Sequence, residues 1–221
     1  MNTLLEEYKK VLIKFPIENT EYGNMLFMPS DNPLGKILIV GMNPSEGDKT
    51  EQDNIPFKSF KGKHWNPIIN VIGDKLIDDS AYLDLFPLRK TDQLEFEKLE
   101  NNFRGRILEV TQREIERIQP KLIIHFNASS RYYWGPKGWM GYSLEETNFP
   151  LVCGKKLYKI TGFNPACKDR INPEITESKL VGSYIFFYRM LSSKYEAGLS
   201  EDIKLNTNDI SAMWNYVINH Q

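Results

Sequence analysis

The chain has 221 residues, is 41% apolar and 12% aromatic, and carries a formal charge of −1. That is enough apolar surface for a full core, which excludes a disordered chain, and the charge balance excludes a global basic field. Its cysteines are Cys153 and Cys167 alone, too few for a four-thiolate zinc or iron–sulfur site or for a disulfide framework. The first ten residues include Glu6 and Glu7 and no long apolar core, so they do not read as a signal peptide. No apolar run nears membrane-spanning length. The expectation is one cytoplasmic domain spanning 1–221, a monomer with no metal, no iron–sulfur cluster, no cofactor and no membrane attachment.

In chain order, Leu4, Leu5, Tyr8, Val11, Leu12 and Phe15 recur at helical spacing, which predicts an amphipathic helix ending before Pro16. Lys36 to Val40 is a short β-branched run stopped by Gly41-Met42-Asn43-Pro44-Ser45, the pattern of a strand buried on both faces. Residues 46–54 read as a loop, and Pro67 suits the first turn of a helix carrying Ile68, Ile69, Ile72 and Leu76. Ala81 to Leu85 is a second strand, ending in Asp84-Leu85-Phe86-Pro87-Leu88. A charge-rich helix is predicted over about 95–118, closed by Pro120. A strand over Lys121 to Phe126 comes next, and Asn127 or Ser129 can cap the helix after it. Tyr132 to Gly138 reads as an aromatic, Gly-rich loop. Leu151 to Cys153 and Lys156 to Phe163 read as a hairpin whose second arm is a fourth sheet strand. Ile175 to Leu191 and Ile210 to Ile218 read as helices. Buried strands alternating with helices predict a three-layer αβα sandwich around a central, mostly parallel four-stranded sheet.

Two of the predicted strands end alike, at Asn43-Pro44 and Asn164-Pro165, each with a glycine two residues before the asparagine. In a parallel sheet both would open on one crevice, where ligands of open α/β sheets bind; the plain alternative is turn chemistry alone. Lys49-Thr50 after Gly47 is no phosphate loop, because Asp48 breaks the Gly-Lys junction and would repel phosphate. These residues resemble motifs of the uracil-DNA glycosylase superfamily. Gly41-Met42-Asn43-Pro44 is similar to motif A of its mismatch-specific uracil/thymine and single-strand-selective branches. Ile55-Pro56-Phe57 with Trp65 resembles the Pro-Phe and Phe-Trp spacing of the first branch, and Asp84-Leu85-Phe86-Pro87-Leu88 the Asn-x-Cys-Pro-Leu of the second. Asn164-Pro165-Ala166 resembles the Asn-Pro-Ser that opens motif B. The likeness covers about 36–170.

The resemblance implies a uracil-DNA glycosylase-like fold and a DNA base-excision glycosylase, which flips a nucleotide from the stack and hydrolyses its N-glycosidic bond. Negative charge grows on the leaving base, so oriented donors near its O2 accelerate the step. Asn43 would hold the attacking water and Asn164 would donate to O2. The base would lie among Gly41, Met42, Pro44, Ser45, Phe57, Asp84 and Pro165, with Phe57 stacked upon it. Residues 165–170 would probe the duplex, and Lys58, Lys61, Lys63, His64, Ala166, Cys167, Lys168 and Arg170 would meet single- or double-stranded DNA.

Departures from the family pattern leave the substrate open. Asp84 stands where the family has Asn, and an ionised carboxylate accepts from uracil N3–H but repels O4. Ser45 and Cys167 occupy places where smaller or stiffer residues are usual. Plain structural roles stand beside the functional ones: Phe57 as a hydrophobic anchor, Trp65 packed at its helix start, His125 a core histidine, His64 a solvated loop residue. A non-catalytic nucleic-acid or nucleotide-binding protein on the same fold is the alternative, and a small-nucleoside hydrolase a third.

Overall fold

The structure is a computed structural model describing residues 3–22, 26–27, 36–44, 55–89, 98–135, 139–191, 199–200 and 203–220. Its centre is a six-stranded mixed sheet in the order β2-β1-β3-β6-β5-β4. The strands are β1 (Ile37–Gly41), β2 (Ser80–Asp84), β3 (Leu122–Phe126), β4 (Tyr142–Glu146), β5 (Leu157–Phe163) and β6 (Tyr184–Tyr188). The first four in that order are parallel, and β5 and β4 continue the sheet antiparallel. The α/β class is as the sequence predicts; in place of the predicted mostly parallel four-stranded sheet there is a six-stranded mixed one.

β1 is buried along its whole length because apolar side chains leave on both faces. Leu38 and Val40 join one core with Tyr8 and Leu12 of α1 (Thr3–Ile13) and with Phe103, Ile107 and Ile115 of α5 (Asn101–Ile118). Ile37 and Ile39 join the other with Ile68 and Ile72 of α3 (Trp65–Ile72) and Met213 and Val217 of α7 (Thr207–Asn219). Helices therefore cover both faces. Among the described residues there are also α2 (Pro16–Tyr22), α4 (Asp74–Ile77), α6 (Arg131–Trp134) and short 3-10 turns at Phe57–Ser59 and Ala128–Ser130. Pro16 ends α1 and opens α2, since its missing N–H costs nothing in a first turn. The described part of the predicted 95–118 helix starts at Asn101, and it stops where Gln119 turns left-handed before Pro120. Thr111 in mid-helix donates to the Leu85 carbonyl at 2.7 Å, which pins α5 at the carboxyl end of β2.

Two predicted elements are overturned. Residues 175–191 are not a helix: they lead through a turn with Gly182 at φ 90° into β6, the fourth parallel strand. Tyr184 to Tyr188 is five consecutive apolar residues, which helix and buried strand accommodate alike, and pairing with β3 decides. The arm over 156–163 is a strand, but it runs antiparallel to β6. Its hairpin partner is β4; 151–155 is only a tight turn closed by the Val152–Lys155 bridge. The predicted aromatic loop begins as helical α6, with Tyr133 and Trp134 buried and Tyr132 outside; residues 136–138 of it lie outside the described ones.

Candidate functional site

The carboxyl ends of β1 and β2 lie side by side, Gly41 in register with Asp84. The chains stay together past the strands, Leu85 N–H donating to the Gly41 carbonyl at 3.1 Å and Phe86 N–H to that of Met42 at 2.9 Å. Met42 is buried and accepts from the Ser130 hydroxyl at 3.4 Å, which ties the turn after β3 to the same edge. Asn43 is half-buried there, its amide nitrogen donating to the Pro44 carbonyl at 3.3 Å. Ser45 and the loop 46–54 lie outside the described residues.

Tyr82 and Asp84 share one face of β2 by the two-residue period. The Tyr82 hydroxyl donates to Asp84 Oδ1 at 2.8 Å, and both lie against Gly41 so closely that any side chain there would collide. Asp84 is 2% exposed, and its Oδ2 has no hydrogen-bond partner among the described residues. Burial pushes its carboxyl up to about 7, against the Tyr82 hydroxyl and the Arg89 guanidinium, which favour the ionised form. Phe57 stacks on Tyr82, ring centroids 5.5 Å apart at 25°, and meets Phe60 edge-on. Phe60, Trp65 and Phe27 complete an aromatic cluster around Tyr82, with Arg89 over Phe27 at 4.9 Å.

Gly41, Asp84 and, through Tyr82, Phe57 thus form one cluster, and Met42, Asn43 and Pro44 follow Gly41 in the turn beside it. Asn164 and Pro165 lie elsewhere. Lys159 pairs with Tyr184, the first residue of β6, so residues 160–163 run past the amino ends of the parallel strands while Asn43 emerges at their carboxyl ends. The convergence of the two amides fails because β5 is antiparallel. Asn164 sits against Gly141, its N–H donating to that carbonyl at 2.8 Å, and its side-chain oxygen accepts from Ala166 N–H at 2.9 Å. That is turn chemistry, the plainer of the two readings.

The cationic rim is also redrawn. Lys58 pairs with Asp78 at 2.7 Å, just before the amino end of β2, which draws it away from the carboxyl edge. Lys61 and Lys63 are exposed, and His64 lies half-buried with its ring edge-on to Trp65. Arg170 is committed to its own loop: its guanidinium lies 4.0 Å from the Phe163 ring centre and donates to the Ile175 and Pro173 carbonyls. Ala166, Cys167 and Lys168 line a groove beside α5. Trp65 is buried at its helix start, as expected, and His125 is buried in the core but is not the hydrogen-bonded core histidine expected there. Both His125 ring nitrogens lack partners among the described residues, and burial lowers its pKa to about 3. Tyr82, Arg89 and Ser130 were not singled out in the sequence; only the two-residue period linking Tyr82 to Asp84 could have found one of them.

Among the described residues no three His, Cys, Asp or Glu side chains are grouped to hold a metal ion, and no helix is long and apolar enough to cross a membrane. No protein-family model matches the chain, and no curated protein matches it.

Proposed function

We propose that the protein is a DNA base-excision glycosylase with a uracil-DNA glycosylase-like fold, working at the carboxyl edge of β1 and β2. The observation that carries this reading is the juxtaposition of the Gly41-Met42-Asn43-Pro44 turn with Asp84 across a single strand pair. Asn43 would orient the attacking water through its amide, which positions a nucleophile without acting as a base.

The protonation of Asp84 answers the mismatch with the family pattern. A carboxyl titrating near 7 is substantially neutral at physiological pH, and a neutral carboxyl offers one donor and one acceptor as an amide does. It can therefore give a hydrogen bond to uracil O4 and take one from N3–H. Oδ2, buried and unpaired among the described residues, is the atom that such an edge would satisfy. Since Asn164 leaves at the other edge, the charge on O2 needs another partner. β6 delivers Arg189 to the carboxyl edge, two strands from β1 and so roughly 10 Å across. A fixed cation there would stabilise the departing base.

The test is cleavage of labelled oligonucleotides carrying uracil, hypoxanthine, xanthine or a thymine mismatch. The protein should leave alkali-labile sites, and Asn43→Ala should lower the rate by about 10²-fold or more. Uracil excision should decline as pH rises through about 7, where Asp84 ionises, and Asp84→Asn should abolish that decline. Absence of labile sites, or an unaffected Asn43→Ala enzyme, would remove the glycosylase and leave the non-catalytic binding protein.

A further inference from the structure

On the flank of α5 lies a second concavity, separate from the Asp84 cluster, an open groove of about 720 Å³. One wall is α5 itself, through Asn101, Asn102 and Arg106; the other is the 166–171 loop with Lys168. Tyr132 and Trp139 also line it. Trp139 packs on α5 at Gly105, where a Cβ would meet the indole Cζ3 at an ordinary contact distance of 3.5 Å. Arg104 lies over one face of the ring, its guanidinium 5.5 Å from the ring centre, and Tyr133 packs against it at 5.6 Å, which leaves the exposed Tyr132 ring as the groove's open stacking surface. Tyr132 is 60% exposed, a large ring kept at the surface on a helical turn whose next two aromatic residues are buried.

We propose that this groove takes an unstacked nucleobase of single-stranded DNA, flanking the nucleotide held at the sheet edge. The inference rests on the glycosylase reading for its partner and on the groove for its chemistry. Aromatic rings held in an open groove present flat faces to any base that is not already stacked, and amides at the rim supply donors and acceptors for its edge. A duplex offers no such base, because its faces are occupied. One side of the groove, α5 and Tyr132, reaches toward the carboxyl edge; the other is the 166–171 loop that follows Asn164. α5 is pinned at Leu85 by Thr111, so residues 101–110 extend past the carboxyl edge, and Tyr132 stands on the turn that follows the carboxyl end of β3.

Charge sharpens the expectation. Arg106 is tied to Glu109 at 2.8 and 3.0 Å, and Lys168 is followed by Asp169, so the groove has no cationic excess. Binding should be led by stacking, with a shallow dependence on salt.

The experiment is binding of a short labelled single strand and of its duplex, by fluorescence anisotropy, to the native protein and to Tyr132→Ala, Trp139→Phe and Asn43→Ala. Tyr132→Ala should weaken single-strand binding about tenfold or more and leave duplex binding unchanged. Free deoxyadenosine monophosphate should compete poorly. Tyr132→Ala and Trp139→Phe proteins that bind the strand as the native one does would overturn the groove, as would preference for the duplex or a mononucleotide that competes on equal terms. The two readings fail separately. A strand-binding loss in Tyr132→Ala without cleavage by any form would sink the glycosylase and keep the groove; cleavage lost in Asn43→Ala with no effect of Tyr132→Ala would do the reverse.

Discussion

Gly41 is the most tightly enclosed of the described glycines. A methyl group built on it would stand 2.1 Å from the Tyr82 hydroxyl oxygen and 2.2 Å from Asp84 Oδ1, so its glycine is a matter of space, not of backbone freedom. Gly41→Ala should destabilise the fold by about 1–3 kcal/mol or more, read as a lower urea midpoint at unchanged slope; an unaltered midpoint would mean that the Tyr82–Asp84 pair is not seated on this strand. Asp84 and His125 make opposite predictions about pH. The Asp84 carboxyl titrates higher folded, near 7, than unfolded, near 3.9, so its contribution is full below about pH 4 and lost as pH rises through 7. His125 titrates lower folded, near 3, than unfolded, near 6.5, so stability is lost as pH falls below about 6.5. At this scale the sequence showed Gly41, Asn43 and Asp84 through the strand-ending pattern alone. It could not show Asp84 sealed under Tyr82, because that depends on which helix covers the face.

Elements were legible where local chemistry and packing agree. α1, β1, β2 and β3 follow from periodicity and from Gly and Pro placement, within a residue or two at their ends, whereas the predicted helix carrying Ile68 to Leu76 is split at Gly73 into α3 and α4. β6 was not legible, since an unbroken run from Tyr184 to Phe187 has no period to read and its identity comes from β3, more than fifty residues earlier. The direction of β5 was equally hidden: whether a strand enters a sheet parallel or antiparallel is settled by its neighbour, and that neighbour is β6. That one unread strand cost the site assignment its second asparagine. α7 shows the opposite case, an element whose start is written locally. The Asn206 side chain accepts from Asn208 and Asp209 N–H, and Asp209 accepts from Asn206 N–H in return. Asn206→Ala should lower stability by about 1 kcal/mol, with thermal unfolding as the readout and no shift in midpoint as the refuting result.

For the whole molecule the two buried titrating groups oppose each other. Between about pH 4 and 6.5 the two act in contrary senses, so each offsets the other in the native profile. Asp84→Asn should uncover a steep loss on acidification, and His125→Phe a gain; flat profiles for both variants in urea titrations would refute the pairing. The α/β class was legible from strands alternating with helices, as was β5 as a strand, but not the β4 arm or the antiparallel direction of the β4–β5 ribbon. The ribbon's position has a consequence for how the sheet holds together. β6 comes last among the strands in sequence yet lies between β3 and β5 in space. The β4–β5 ribbon pairs within itself, whereas its place in the sheet beside the β2-β1-β3 unit depends on Tyr184 to Tyr188 lying between them. β6 is therefore a keystone: one five-residue segment supplies a parallel edge to β3 and an antiparallel edge to β5, so a single break in its pairing would open the sheet in two.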